Sequence, residues 1–465
     1  MKNLILFEIK KILCNRKNWI VCALFFFLIM LFIFSNNEKN KQYTKKDIEA
    51  CEILEKWYFV KAGNYKKMYE QLGSSLCKNF SEVSAARSQY FHDKKYALNK
   101  HDNNALLKAE IAYEKAQIKY FNWGYKLSTG EVVDDHLPGK LGTLVFRLLG
   151  GPYEINEEIA YYKSQQTFHE YLLNNNISYI GHYEMTGYHF LYSCMNELFP
   201  SILALILLLL VSDIVSMEKD MGSYKFLLLQ PISRGKVILS KGIAASIVTI
   251  TMVLGTLFSF FLIVGAINGF GSSDYPVLKS DVTYSTTKDI PSNIYSVSSS
   301  LDDFCFATFS MEGDISYKYY DTKDINFYQG ISLYSSGKPY QSYDIPSKDS
   351  SYIEIYKFIL ACLPALILFI TFTAFFGVLI STIIHNSLIS IVLSILVGIG
   401  VGFGRDRLLT GYLKRYLPFS YSDSVSLYNG TTCETMLRAL ITLGIGCVVV
   451  IIFNYLFFRK KDIVC

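Results

Sequence analysis

Six apolar runs divide the chain, at 19–34, 198–211, 243–267, 355–380, 388–403 and 437–458. Between them the sequence turns polar and is rich in Lys, Asn, Ser, Tyr and Asp. The hydrocarbon core of a bilayer is about 30 Å thick and takes about 20 residues of helix. With their flanks, the runs predict six transmembrane helices, near 19–35, 191–212, 238–267, 353–379, 383–403 and 434–458. Backbone groups in lipid must find partners within their own segment, so each run reads as helix. Core helices of a large soluble protein would carry polar faces, which these runs lack. The predicted fold class is an all-α polytopic membrane protein.

Residues 1–18 set Lys2, Lys10, Lys11, Arg16 and Lys17 beside Ile5, Ile9, Ile12 and Leu13. The four apolar residues share one helical face, which predicts an amphipathic helix lying on the cytoplasmic membrane surface. No small-x-small cleavage site follows Phe34, so the first apolar run reads as an uncleaved helix and not a signal peptide. Basic clusters mark the inner side. They place both termini in the cytoplasm, together with the loop 213–237, which carries Lys219, Lys225, Arg234 and Lys236, and the tail 459–465. Segments 36–190 and 268–352 are then extracytoplasmic. Segment 404–433 falls outside as well, although it holds Arg405, Arg407, Lys414 and Arg415. A re-entrant path there would relieve the conflict.

The two large insertions differ in kind. Residues 44–127 are rich in helix formers and poor in Gly and Pro, and Leu107, Ile111, Ile118 and Phe121 line one face. With breaks at 99–104 and 150–156, the insertion between helices 1 and 2 reads as a large helical domain. Residues 268–352 are Ser- and Tyr-rich, with short alternations such as Ile315 to Tyr319, and predict a smaller strand-rich or loop-like segment between helices 3 and 4. Connections this long usually have a function of their own. Gly398, Gly400, Gly402 and Gly404 form overlapping GxxxG pairs, as do Gly265 and Gly269. Such spacing allows close helix contact. Pro200 and Pro364 are expected near outer helix ends.

Composition narrows the chemistry. The chain is 51% hydrophobic and 18% charged, and its net charge of +5 does not point to nucleic acid. None of its ten cysteines falls in a metal-like spacing, and a Cys51–Cys77 bridge is left open. There is no GxxxxGK[ST] phosphate loop, no HExxH and no GxSxG elbow. His182, Glu184 and His189 form a weak candidate metal cluster, more simply read as structural. The middles of the apolar runs are nearly free of ionisable groups, which argues against transport driven by an ion gradient. No catalytic residue, metal or cofactor is expected in this chain.

The loop between the second and third apolar runs is the most informative segment. Glu218 precedes a Gly222-Ser223 step, apolar anchors at Leu227 and Leu228, a rigid turn at Pro231, then Ser233-Arg234 and, downstream, Lys241. This pattern resembles the cytoplasmic loop of ABC-2 type ABC transporter permeases. The six-helix layout, the N-terminal amphipathic helix and Leu417-Pro418-Phe419-Ser420 before the last helix match that family too. The resemblance implies a permease subunit in a bacterial plasma membrane. It would be paired with an identical or related permease and energised by cytoplasmic ATPase subunits that hold the ATP and Mg. Glu218, Gly222, Ser223, Leu227, Leu228, Pro231, Ser233 and Arg234 would then be coupling residues. Export is the direction it implies, of a peptide, drug, lipid-like molecule or ion. The insertions are much larger than in compact members, so the cargo does not carry over. The alternative is a membrane-anchored sensor that detects an extracellular ligand or peptide without transporting it.

Overall fold

The computed structural model describes residues 1–131, 152–181, 183–223, 232–280, 303–309, 315–321, 350–408, 416–428 and 435–460. A short helix α1 (Lys2–Cys14) precedes α2 (Arg16–Leu72), which runs unbroken for 57 residues. At 1.5 Å per residue that is a rod of about 85 Å. Its lower part is the first apolar run and its upper part enters a polar bundle. The bundle is completed by α3 (Ser75–Lys100), α4 (Asn103–Ser128) and α5 (Pro152–Asn174). The chain then enters α6 (Gly187–Ser193), passes through a π-helical turn (Cys194–Leu198) and continues as α7 (Phe199–Val211). A five-residue helix α8 (Ser216–Asp220) follows, then α9 (Arg234–Asn268), α10 (Ile355–Ile383), α11 (Ser387–Leu408), α12 (Ser424–Tyr428) and α13 (Met436–Lys460).

Among the described residues five helices or helix runs are long and apolar enough to cross a membrane: Arg16–Leu72, Gly187–Asp220, Arg234–Asn268, Ile355–Ile383 and Met436–Arg459. The sixth apolar helix is shorter over its described apolar stretch, Ser387–Gly402. The expected hairpin near His385 is present, since α10 ends at Ile383 and α11 begins at Ser387. Pro200 is the second residue of α7 and follows directly on the π-helical turn, the kind of irregularity that accompanies a proline within a continuing helix. Pro364 lies well inside α10 and not near its end.

The smaller insertion contains two antiparallel pairs among the described residues. Strand β1 (Pro276–Ser280) pairs with β4 (Ser350–Glu354), and β2 (Asp303–Phe309) pairs with β3 (Ile315–Asp321). Backbone bonds stitch the bases of both insertions together. Gly187 N donates to Gly269 O and Tyr188 N to Phe270 O, each at 3.0 Å, and Ile355 N donates to Tyr275 O at 2.9 Å. Buried Tyr275 also packs edge-on against buried Phe168 of α5, which joins the bundle to the main apolar core.

Across the expected boundary after residue 35 the backbone continues as one helix, with no Gly or Pro there to break α2. Cys51 and Cys77, whose pairing was left open, are not bridged; both are buried, and Cys51 sits in an apolar cluster with Leu54 and Tyr58.

The bundle interior is partly ionic. Lys94 Nζ lies 3.1 Å from Glu110 Oε1 and donates to the Tyr90 hydroxyl at 2.9 Å. On α5, His169 Nδ1 is 2.7 Å from Glu114 Oε1 of α4, and both residues are buried. Burial pushes the Glu114 carboxyl up to about 7, against the opposing pull of His169. Burial disfavours the His169 imidazolium, but Glu114 outweighs it and raises the His169 pKa.

Among the close helix contacts, α11 meets α7 through two glycines. A Cβ on Gly402 would stand 1.9 Å from the Ser201 carbonyl oxygen, and one on Gly398 would stand 2.6 Å from Leu205 Cα. Gly400, between them, has nothing within 4 Å. Of the three glycines 398, 400 and 402, Gly398 and Gly402 therefore use the small-residue spacing against α7. Gly402→Leu is expected to force α11 off α7 at a cost of about 1–3 kcal/mol or more. Gly400→Leu should be close to neutral. Thermal unfolding of the two variants in nanodiscs checks the contrast, and equal melting would refute the contact.

The Glu114–His169 pair sets a pH dependence. Both groups hold protons more tightly in the folded bundle than their ordinary values of 4.5 and 6.5. Their stabilisation is therefore complete below those values and is lost as pH rises through the folded ones. Protection factors across α4 and α5, taken against the intrinsic exchange rate at each pH, should rise from pH 8 to 6, and Glu114→Gln should diminish that rise. Lower protection at pH 6 than at pH 8 in the native chain would reverse the sign and defeat the assignment.

Candidate functional site

The loop after α7 is tied to its surroundings by buried charge. Lys241 lies two turns into α9 and is completely buried. Its ammonium donates to Glu8 Oε2 of α1 at 2.9 Å and to Glu218 Oε1 of α8 at 2.5 Å. Glu218 also pairs with Lys11 of α1. The result is an alternating chain, Glu8–Lys241–Glu218–Lys11, with two cations against two carboxylates. Isolated burial of Glu8, Lys241 or Glu218 would be strongly unfavourable, while Lys11 keeps contact with solvent. Together they fix α1 against α9 and α8 against both.

Local sequence explains why α1 can lie across the base of α9. Asn15 takes an extended conformation (φ −75°, ψ 120°) that ends α1, and its side chain caps α2 by accepting from Lys17 N at 3.0 Å. Asn18 Nδ2 donates at 2.8 Å to Ile12 O, a carbonyl of the last turn of α1 that also accepts from Asn15 N at 3.3 Å. Asn15 Nδ2 also reaches Met217 Sδ of α8 at 3.6 Å.

Further polar side chains bind the ends of neighbouring helices. Lys17 pairs with Asp213 and donates to Leu209 O at 2.8 Å, at the carboxyl end of α7. Lys219 donates to Thr382 O at 2.8 Å, at the carboxyl end of α10. Asp220 Oδ2 accepts from Ser387 N at 2.8 Å, at the amino end of α11. Ser381 Oγ accepts from Val215 N at 2.9 Å and from Ser216 N at 3.0 Å, which serves the first free donors of α8. Each cation meets a helix carboxyl end and the anion meets an amino end, the favourable sense for helix dipoles.

Of the residues predicted from sequence, Glu218 is central to this hub. Gly222 ends α8 with φ 71°, in the left-handed region, and Ser223 Oγ donates to Glu218 O at 3.2 Å. Ser233 precedes α9, and Arg234 Nη1 lies 3.4 Å from Arg459 O at the carboxyl end of α13. Leu227, Leu228 and Pro231 lie outside the described residues. The described short helix, Ser216–Asp220, precedes the stretch from which apolar anchors were expected. Sequence reading missed Glu8, Lys11, Lys17, Asp213, Asp220 and Ser381 as hub members. Glu8 carried a usable signal, a carboxylate between Ile5 and Ile12 on an apolar stripe. Lys241 had entered only as the last residue of the family pattern, and its sequence neighbours Val237, Ile238, Leu239 and Ile243 marked it as a cation in apolar surroundings.

Among the described residues no three His, Cys, Asp or Glu side chains converge as metal ligands would. In the weak cluster noted above, His182 lies outside the described residues, and His189 Nδ1 meets the Glu184 carbonyl.

Residues 3–278 match the model of a family described as ABC-2 family transporter protein. The matched stretch runs from α1 through the hub and α9 into β1. No curated protein and no solved structure matches the chain.

Removing Lys241 alone strands buried Glu8 without its cation. Lys241→Met is expected to cost about 3–5 kcal/mol. Adding Glu8→Leu should restore much of that loss, because Glu218 keeps Lys11. Thermal unfolding followed by tryptophan fluorescence measures both, and a single variant as stable as the native chain would disprove the pairing.

Proposed function

Because the chain belongs to the ABC-2 family of transporter proteins, we propose that it is the membrane-spanning permease subunit of an ABC exporter driven by a separate cytoplasmic ATPase. The observation that carries this reading is the family match over residues 3–278 together with the hub, whose Glu8, Glu218 and Lys241 lie inside the matched stretch and whose short polar loop holds the ends of the neighbouring helices. In this reading all six apolar helices cross the plasma membrane of a bacterium, α11 included. Both termini and the loop 213–237 face the cytoplasm, and the bundle and the strand-bearing insertion face outward. A second permease, identical or related, completes the path. ATP and Mg stay on the ATPase.

The coupling role belongs to Glu218, Gly222, Ser223, Leu227, Leu228, Pro231, Ser233 and Arg234, with Lys241, Glu8 and Lys11 as the frame that keeps the loop in place. ATP-driven closure of the ATPases presses on the loop. The buried charges pass that displacement to α1, α7 and α9 without letting the loop slide, since separating any pair would leave a bare charge. The cargo is a peptide, drug, lipid-like molecule or ion.

Gly222 gives a direct test. Its positive φ excludes proline, whose ring fixes φ near −65°. The native chain, co-expressed with an ATPase that carries a phosphate loop, is expected to purify as a complex that hydrolyses ATP faster than the isolated ATPase. Gly222→Pro should remove that stimulation while membrane insertion stays intact. A native chain that captures an extracellular ligand yet neither binds nor stimulates an ATPase would establish the sensor reading instead.

A further inference from the structure

We propose that Lys219 and Asp220 are positioning residues through which α8 moves the α10–α11 hairpin directly, so that the stroke reaches five helices and not only the two that flank the loop. This rests on the ATPase-coupled reading above and adds to it the path taken by the motion. It is carried by the way two consecutive side chains hold both sides of one tight turn. Lys219 Nζ donates to the carbonyls of Thr382 at 2.8 Å and Ile384 at 3.4 Å. Asp220 Oδ2 accepts from Ser387 N at 2.8 Å. Between them the chain reverses from α10 into α11 within three residues, 384–386.

These contacts satisfy groups that a helix cannot satisfy for itself. The last carbonyls of α10 and the first N–H groups of α11 have no partner within their own helices. A cation at the first and an anion at the second also match the helix dipoles. From the other direction, Ser381 of α10 takes both leading N–H groups of α8 on its hydroxyl. Displacing α8 relative to the hairpin would therefore break polar contacts at both of its ends at once.

Helical geometry separates the two jobs of α8. Successive side chains leave a helix about 100° apart. Glu218 points to Lys241 and the α1–α9 side, and the next two residues point to the α10–α11 turn. Glu218 thus serves the helices already assigned to coupling, and Lys219 and Asp220 serve a hairpin that the loop does not adjoin in sequence. The hairpin's second limb lies directly on α7 through Gly398 and Gly402. Moving α11 at the turn would shear it along α7.

The test uses the full chain in nanodiscs with its ATPase, without nucleotide and trapped with ATP and vanadate. Genetically encoded spin labels replace Ile20, Met221 and Leu388, which are all exposed. Trapping should shift both the Met221–Ile20 and Leu388–Ile20 distances, by about 2 Å or more on the scale of helix shifts in switching proteins. The Met221–Leu388 distance should stay fixed. In the double variant Lys219→Met, Asp220→Asn, Met221 should still move while Leu388 keeps its nucleotide-free distance. The conservative variant Lys219→Arg should restore following by Leu388, which a merely stabilising role would not require. A hairpin that follows α8 in the double variant, or fails to follow it in the native chain, overturns the proposal. Absence of any Met221 shift in the native chain, with hydrolysis confirmed, would defeat the ATPase-coupled reading itself and this path with it.

Discussion

A lysine with no solvent around it must find its counter-charges inside the protein, and Lys241 finds two. Taking an ammonium out of water into a low-dielectric interior costs of order 20 kcal/mol in the idealised limit and several kcal/mol after relaxation. That cost leaves little freedom in where Glu8 and Glu218 can be. It requires α1 to lie along the first turns of α9, and it requires the end of the α7–α8 run to turn back beneath them. Apolar contacts could hold the same helices together, but they would tolerate sliding. Paired buried charges do not, because a shift of one residue leaves an ammonium without a carboxylate.

The same preference for opposed charge extends outward from Lys241. Lys17, Lys219 and Arg234 meet the carboxyl ends of α7, α10 and α13, and Asp220 meets the amino end of α11. Basic residues near the ends of apolar runs are what oriented the chain in the sequence reading. Three of those cations now have a structural task as well, since they neutralise the carbonyls at which the apolar helices stop. The long helix α2 carries this arrangement upward. Lys17, which binds the foot of α7, and Leu54 and Tyr58, which pack in the bundle, stand on one uninterrupted rod.

What could be read from sequence followed from local rules. Hydrophobic runs marked the apolar helices, alternation at 315–319 marked a strand, and the polar break near 385 marked a turn. A change from apolar to polar composition after Phe34 marked a change of surroundings, and it could not reveal whether the helix also ended. Glu218 was reached through a family pattern, but Glu8 and Lys241 stand 233 positions apart. No window along the chain relates them. The Cys51–Cys77 question had to stay open for a similar reason, since the presence of two thiols in one insertion says nothing about where each side chain packs. Glycine spacing was legible in part. It named the helix that makes a close contact, and only the position of α7 decided that Gly398 and Gly402 make it.

The smallness of α8 then has a physical meaning. A helix of five residues has almost no internal hydrogen bonds to stabilise it, so its shape depends on partners for its free ends. Those partners come from α10 at the start and from the α10–α11 turn at the finish, with Glu218 held between α1 and α9. Such a helix keeps its form only while its neighbours stay in place. It can therefore move only together with them, and a stiff joint results from an element that would not be stable alone.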